Sequence, residues 1–447
     1  MLRTILLAGG IIAAILAVLI FSGKLPIGNN SANTPQGEVV LWGTFPEAQM
    51  DKIIQAFNPQ AKTYRVVYRE IRSEVFAQTL TDALANGTGP DIILAPHQII
   101  LSQTPRLYPF PLTSFSEKAF KDTYVDGASI FFSPSGALAL PVSIEPMVLF
   151  FNRTLFSKHG IVSFPKCADN STGTTAPPYA CWDQITNLVP QLTSMDNKGQ
   201  FVESGIDLGS PNTPYAGDIL MSIVSQLGQT PVLVQYNQDG TTRPTVMANL
   251  PTTEGGQVFP LATVARFFSQ FADPTKNTYS WSQFAGNASD QFVAEKLAMY
   301  VGYSGEFPTL QARNPKGDFD MTYFPQSRGY NTFATGARMY GIATLKSSKN
   351  ITAALTVEAQ FAGGGISPSI AAIVNGAPAI RAYANTPGLN EVVAHSMLVA
   401  RGWYDSFPLQ SMGLVASLLS DIINNRYGVS DASNIFISRL QDLYTPQ

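Results

Sequence analysis

Histidine and cysteine are scarce in this chain. Its 447 residues include three histidines, His97, His159 and His395, and two cysteines, Cys167 and Cys181. The histidines lie far apart and form no His-x-x-x-His or Glu-x-x-His pair, so the spacing that places two metal ligands on one helix face is missing. Two cysteines without a histidine beside them leave a tetrahedral zinc short of ligands. There is no Gly-x-Ser-x-Gly elbow, Gly302-Tyr303-Ser304-Gly305 being one residue short, and no phosphate-cradling Gly-x-x-x-x-Gly-Lys-Ser/Thr loop. Charge is sparse as well, with 13% charged residues and a net charge of −3. No basic block occurs, which argues against nucleic acid, whose binding rests on clustered Lys and Arg. No cofactor is implied. Asp196-Asn197-Lys198-Gly199 has the start of a calcium loop but none of its later acidic ligands, and reads as a turn before a strand.

What is present begins with an apolar run, Ile5–Phe21, 17 residues without a charge and preceded by Arg3. It is long for a signal-peptide core and just long enough to span a bilayer. No small-x-small cleavage site follows, and no cysteine that could carry a lipid. The expectation is an uncleaved N-terminal transmembrane anchor over 5–23 with 1–4 inside, a cleaved signal being the alternative. Residues 24–37 are then a linker, whose Pro/Asn/Ser-rich part Gly28–Gly37 reaches roughly 20 Å. Cys167 and Cys181 flank Ala168–Ala180, a stretch rich in Asn, Ser, Thr, Gly and Pro. The pair reads as a disulfide in an oxidising compartment, worth about 3 kcal/mol by loop entropy, with two buried thiols as the alternative.

Length predicts at least two domains. Glu38–Trp42, Tyr64–Ile71 and Gly89–Ala95 read as strands, separated by helices from Pro46 to Phe57 and from a Ser73 cap to Ala85. This βαβαβ alternation predicts a parallel sheet with helices on both faces. Ligands of such sheets sit beyond the carboxyl ends of the strands, which selects Trp42, Glu47, His97 and Gln98 as candidates. Residues 138–161 read as two buried extended segments around a Pro-bounded polar kink that carries Glu145, the pattern of a strand passing between two lobes.

That segment, with Ala139-Leu140-Pro141, Glu145, Leu149, Phe151-Asn152, Leu155-Phe156 and Gly160-Ile161, resembles the first inter-lobe crossing of the extracellular solute-binding proteins of ABC importers, the sugar-binding type related to maltose-binding protein. Further stretches resemble that family in order: Leu41-Trp42, Gly87–Ile92, Trp182-Asp183, Gly205–Gly209, Phe292–Phe307, Phe319–Pro325 as a second crossing strand, Gly336–Thr344, Ser348-Lys349-Asn350, Pro378–Arg381 and a helical tail over Leu409–Leu443. The chain departs at Phe151, where tyrosine is usual, at Glu295, where glycine is usual, and at Gly305, where the sugar binders carry a stacking tryptophan.

The resemblance implies an α/β, two-lobed periplasmic-binding-protein-like fold of type II, with lobe 1 from 38–143 plus 326–370 and lobe 2 from 144–325 plus 371–447. It implies a monomeric substrate-binding component that captures a sugar or oligosaccharide in an inter-lobe cleft by hinge closure and hands it to permease subunits, outside the cell and without bond chemistry. Flat apolar faces and uncharged or acidic acceptors suit such a ligand. The candidates are Trp42, Tyr303, Phe307, Tyr340 and Trp403 as faces, and Glu47, His97, Gln98 and Glu145 as polar partners. A peptide, polyamine or glycerophosphodiester binder is the first alternative, and a glycan hydrolase using Glu47 and Glu145 as paired carboxylates is the second.

Overall fold

The computed structural model describes residues 37–445 apart from 62–63, 168–178, 237–241, 248–249, 252–256, 259 and 330–332. The expected anchor at 5–23 and the interior of the cysteine loop lie outside the described residues. Among the described residues no helix is long and apolar enough to cross a membrane.

In chain order the elements that matter are β1 (Gly37–Gly43), α1 (Glu47–Phe57), β2 (Tyr64–Glu70), α2 (Ser73–Ala85), β3 (Ile92–Pro96), α3 (His97–Ser102) and the long β4 (Leu140–Asn152). Next come α4 (Arg153–Lys158), α5 (Trp182–Leu188), β5 (Phe201–Ile206), α6 (Ala216–Gln226), β6 (Leu297–Tyr303), α7 (Phe307–Arg313), β7 (Phe319–Tyr323) and β8 (Thr335–Thr344). The chain ends with α8 (Ile351–Ala362), β9 (Ala377–Pro378), β10 (Ala400–Arg401), α9 (Pro408–Ile423) and α10 (Val429–Tyr444). Two units divide it. Among the described residues, unit 1 takes the chain up to Glu145, Tyr236 and Thr242, and Arg338–Leu398; unit 2 takes Pro146–Gln235, Arg243–Ala337 and the chain from Val399 onward.

In unit 1 the expected βαβαβ order is borne out. β1 lies between β2 and β3, parallel to both, with Leu41 beside Tyr68 and Ile92. Val39, Leu41, Ile92, Ile93 and Leu94 are buried, so the β-branched and leucine run that marks these strands in the sequence is the run that loses its water. Met50 and Ile54 of α1, and Phe76 and Leu80 of α2, are the buried i,i+4 pairs that dock the helices. Ser73 is the first helical residue of α2, not its cap; Arg72 precedes it with no side-chain hydrogen bond. The later half of β8 runs antiparallel to β3, pairing Tyr340 with Pro96 and Thr344 with Ile92.

In unit 2, β6 is antiparallel to the later half of β4 and parallel to β5, with Tyr303 opposite Met147 and Met299 opposite Ile206. β7 also pairs with β4, from Phe319↔Asn152 to Tyr323↔Val148. This ladder keeps Phe319–Tyr323 inside unit 2, so it is not the second crossing; the chain passes between units within β4, before Tyr236 and after Thr242, within β8, and again after Leu398. β4 also differs from the two segments and kink expected of it. It is one strand of 13 residues, all buried. Pro146 falls between the β9 ladder, which reaches Ser143 and Ile144, and the β6 ladder, which starts at Met147, so its missing N–H interrupts neither. The helical tail is two helices, α9 and α10, parted at Asn425, whose positive φ of 53° ends the first. Asp196 is the turn expected of it, its Oδ1 accepting from the N–H groups of Lys198 and Gln200 at 2.8 and 2.9 Å.

Candidate functional site

In unit 1 the candidates gather where β1 and β3 end and β4 and β8 begin or leave the unit. Glu145, 4% exposed, is the last residue of unit 1 on β4. Its Oε2 accepts from the Tyr340 hydroxyl at 3.0 Å and from the Arg338 guanidinium at 3.3 Å. Arg338 is the first unit 1 residue of β8, so an acid and a base meet at the residues where these two strands change unit. Gly376 permits the approach of the neighbouring chain: a Cβ there would stand 2.9 Å from the Ile144 carbonyl and 3.2 Å from Glu145 Cγ. Tyr340 packs its ring on Phe45 at 5.0 Å, and Phe45 presents its carbonyl to the Tyr68 hydroxyl at 2.6 Å. Burial, then the Glu145 carboxylate, raise the Tyr340 hydroxyl far above its ordinary pKa, so the group is a donor at every working pH.

His97 opens α3, fully buried, its Nδ1 accepting from the Met339 N–H at 3.3 Å between Arg338 and Tyr340. Gln98, next to it, is half-buried. Thus Glu145 and Tyr340 meet directly, while His97 reaches the backbone of β8 between Arg338 and Tyr340. Trp42 and Glu47 do not join them. Trp42 is buried, and Arg69, its cross-strand partner on β2, lies over the ring at 5.0 Å, which occupies the face expected to stack on a ligand. Glu47 is exposed in the first turn of α1, its N–H donating to the Glu70 carboxylate at 2.8 Å. Asp91 is structural: its two oxygens accept from Val40 N–H at 2.9 Å and Ser348 hydroxyl at 2.6 Å.

In unit 2 the focus is Asp218, in the first turn of α6. Its Oδ2 accepts from the Tyr303 hydroxyl and its Oδ1 from the Trp403 indole N–H, both at 2.8 Å. Tyr303 ends β6, opposite Met147, and Trp403 follows β10, whose partner is the start of β8. Tyr215 meets the Tyr303 ring edge-on at 4.9 Å and caps α6 with a left-handed φ of 54°. A bulky side chain at such a φ is strained by about 1–3 kcal/mol, and strain of this kind collects at ligand-handling positions. Two residues after Trp403, Asp405 accepts from Ser411 hydroxyl and Phe407 N–H at 2.8 and 3.0 Å. Burial and the neighbouring Asp218 push its carboxyl up to about 6, against those hydrogen bonds. Phe307 packs in a different cluster. It lies parallel to Phe150 at 5.8 Å, within the aromatic packing of Phe150, Tyr300 and Phe292.

Sequence reasoning passed over Arg338, Tyr215, Asp218 and Asp405. Alternation along Gly336–Thr344 puts Arg338 and Tyr340 on one face of β8, a signal that was open to reading. Nothing local marks Asp218, whose partners are 85 and 185 residues away. Cys167 and Cys181 are disulfide-bonded, the Cα atoms 5.1 Å apart. Among the described residues no group of three or more His, Cys, Asp or Glu is placed to hold a metal ion.

No curated protein matches this chain. Among solved structures it is similar to the cyclic α-maltosyl-1,6-maltose binding protein of Arthrobacter globiformis, at 14% identity and a TM-score of 0.70 over 92% of this chain and 99% of that one. The sugar-binding protein MalE of Xanthomonas citri gives 14% identity and a TM-score of 0.69 over 91% and 97%. An ABC substrate-binding protein of Listeria monocytogenes in complex with cycloalternan gives 16% and 0.66 over 91% and 99%. The likeness shows a two-lobed periplasmic-binding-protein-like fold. Residues 52–359 match the bacterial extracellular solute-binding protein family, and the chain belongs to that family, which places it on the extracytoplasmic side.

Proposed function

We propose that this protein is the substrate-binding component of an ABC importer for a sugar or oligosaccharide. It captures its ligand by hinge closure of the lobes and delivers it to permease subunits as a monomer, with no bond chemistry. The observation that carries the reading is the Glu145–Arg338–Tyr340 cluster on the strands that change unit. An acid already compensated by an arginine and a tyrosine offers a ligand hydroxyl-matching donors and acceptors with little net charge. The half-buried Tyr215 supplies a flat apolar face for the C–H side of a sugar ring, with the buried Tyr303 and Trp403 as backing. The structural neighbours include proteins bound to maltotetraose, cycloalternan and α-D-tagatose, which supports a carbohydrate over a peptide or polyamine.

The apolar run Ile5–Phe21 tethers the body to the membrane in this reading. Fractionation of cells making the full chain, beside a variant lacking that run, tests the tether: loss from the membrane fraction only in the variant supports it.

The central test is calorimetric titration of the purified full-length protein with mono- and oligosaccharides, peptides and polyamines, with sugar recovery measured afterwards. Binding of one sugar class, recovered intact, supports capture. Consumption of the sugar would make the protein a hydrolase, and binding of polyamines alone would remove the carbohydrate assignment.

A further inference from the structure

We propose that Asp218 is the positioning residue of the sugar-binding face of unit 2, one carboxylate that fixes the angle of two aromatic rings from distant parts of the chain. The proposal rests on the carbohydrate reading above and adds to it a residue that need not touch the ligand. The Tyr303 hydroxyl and the Trp403 indole N–H both donate to Asp218, at 2.8 Å each. A hydroxyl or an indole N–H so held sets the tilt of its ring. Tyr303 is 1% exposed and Trp403 8%, so both serve mainly as backing. The half-buried Tyr215 leans its ring on Tyr303 at 4.9 Å and 70°. Asp218 and Tyr215 share the start of α6, so the carboxylate and the strained tyrosine move as one piece.

The first turn of a helix suits an acid, because unpaired backbone N–H groups point toward it. The chain that follows Trp403 is anchored as well: Asp405 accepts from Ser411 and Phe407, and the Tyr404 carbonyl accepts from the Tyr444 hydroxyl at 3.1 Å. The backbone beside Trp403 is thus fixed, and the Asp218 bond orients the indole that it carries. Stacking on a sugar ring depends on that rotation, because the attraction falls steeply as atoms leave contact distance.

The test compares full-length wild type, Asp218→Asn and Asp218→Leu for affinity toward maltotetraose, cycloalternan and D-tagatose. Thermal midpoint is measured alongside, with the indole N–H resonance of Trp403, assigned through Trp403→Phe. The expected result is a loss of about tenfold to hundredfold in affinity for Asp218→Leu, the scale of hydrogen bonds to a charged group. The Trp403 resonance should move with it. Asp218→Asn, which keeps one carbonyl acceptor, should recover part of the affinity. Wild-type affinity in Asp218→Leu, or an unmoved Trp403 resonance, overturns the proposal while the carbohydrate reading stands. Equal loss of affinity and midpoint in both variants also overturns it, by making Asp218 a fold residue only. A wild type that binds none of the three sugars removes the carbohydrate reading, and the proposal falls with it.

Discussion

Among the described residues two acids are fully buried, Glu358 in unit 1 and Asp207 in unit 2. Burial pushes both carboxyls up to about 8, although hydrogen bonds oppose it, among them the Thr344 hydroxyl 2.6 Å from Glu358. A carboxyl raised in the folded state holds its proton more tightly there than in the unfolded chain. From about pH 4 to about pH 8 the folded protein therefore carries the extra protons, and its stability falls as pH rises through that window, then levels off. Glu358→Gln and Asp207→Asn should each flatten the dependence of the urea midpoint on pH, and should compare best with wild type at about pH 8 or above. Midpoints that run parallel to wild type from acid to alkali would mean that neither acid is the group responsible. At Glu145 the outcome is different. Glu145→Gln keeps an acceptor for Tyr340 and should weaken sugar binding with little loss of stability. Glu145→Ala leaves Tyr340 and Arg338 without that acceptor and should cost about 1–3 kcal/mol in denaturant unfolding as well. Equal stability in the two would remove the hydrogen-bonding role. Glu145 could be chosen from sequence because one acid stands alone in an apolar run. Trp42 was a poorer choice because only the cross-strand register reveals Arg69 over its ring.

Elements carry the disulfide's effect. Cys181 is both one end of the bridge to Cys167 and the cap of α5, in a capping box with Gln184, whose side chain accepts from the Cys181 N–H at 2.9 Å. The two roles can be separated. Cys167→Ser with Cys181→Ser removes the crosslink but leaves a strong cap, and should cost about 3 kcal/mol. Cys167→Ser with Cys181→Ala removes the cap too, and should cost about 1 kcal/mol more. Calorimetric midpoints of the two double variants and of reduced wild type check this; identical midpoints for Ser and Ala would deny the cap. The helices and parallel strands of unit 1 were legible because period and burial agree along them, as in Val39 and Leu41 or Met50 and Ile54. β4 was misread as broken, since Pro146 looks like punctuation until its two flanking ladders are seen. Phe319–Tyr323 was assigned to a crossing for a related reason: a strand's partner, here β4, is a long-range fact that its own residues do not encode.

For the molecule as a whole, the ligand's charge is the property that the two clusters constrain most. Glu145 faces Arg338, and both oxygens of Asp218 are spent on uncharged donors, so neither cluster presents an acid without a partner. The net charge of −3 on 447 residues gives no strong field to steer an ion inward. A neutral sugar held by hydrogen bonds and ring faces should then bind with an affinity almost independent of salt. A polyamine held by carboxylates should weaken steeply over the same range, because screening shortens the reach of charge from about 30 Å at 0.01 M salt to about 3 Å at 1 M. Calorimetric Kd values for one bound sugar across that range decide the matter: a flat line fits a neutral solute, and a rise in Kd of tenfold or more with salt would mean that charge does the holding. Linkage gives an independent check, since sugar at about 100 times Kd should add about 2.7 kcal/mol to the stability of the folded chain. That gain should persist at high salt if ring faces and hydrogen bonds supply it, and should vanish there if ion pairs do.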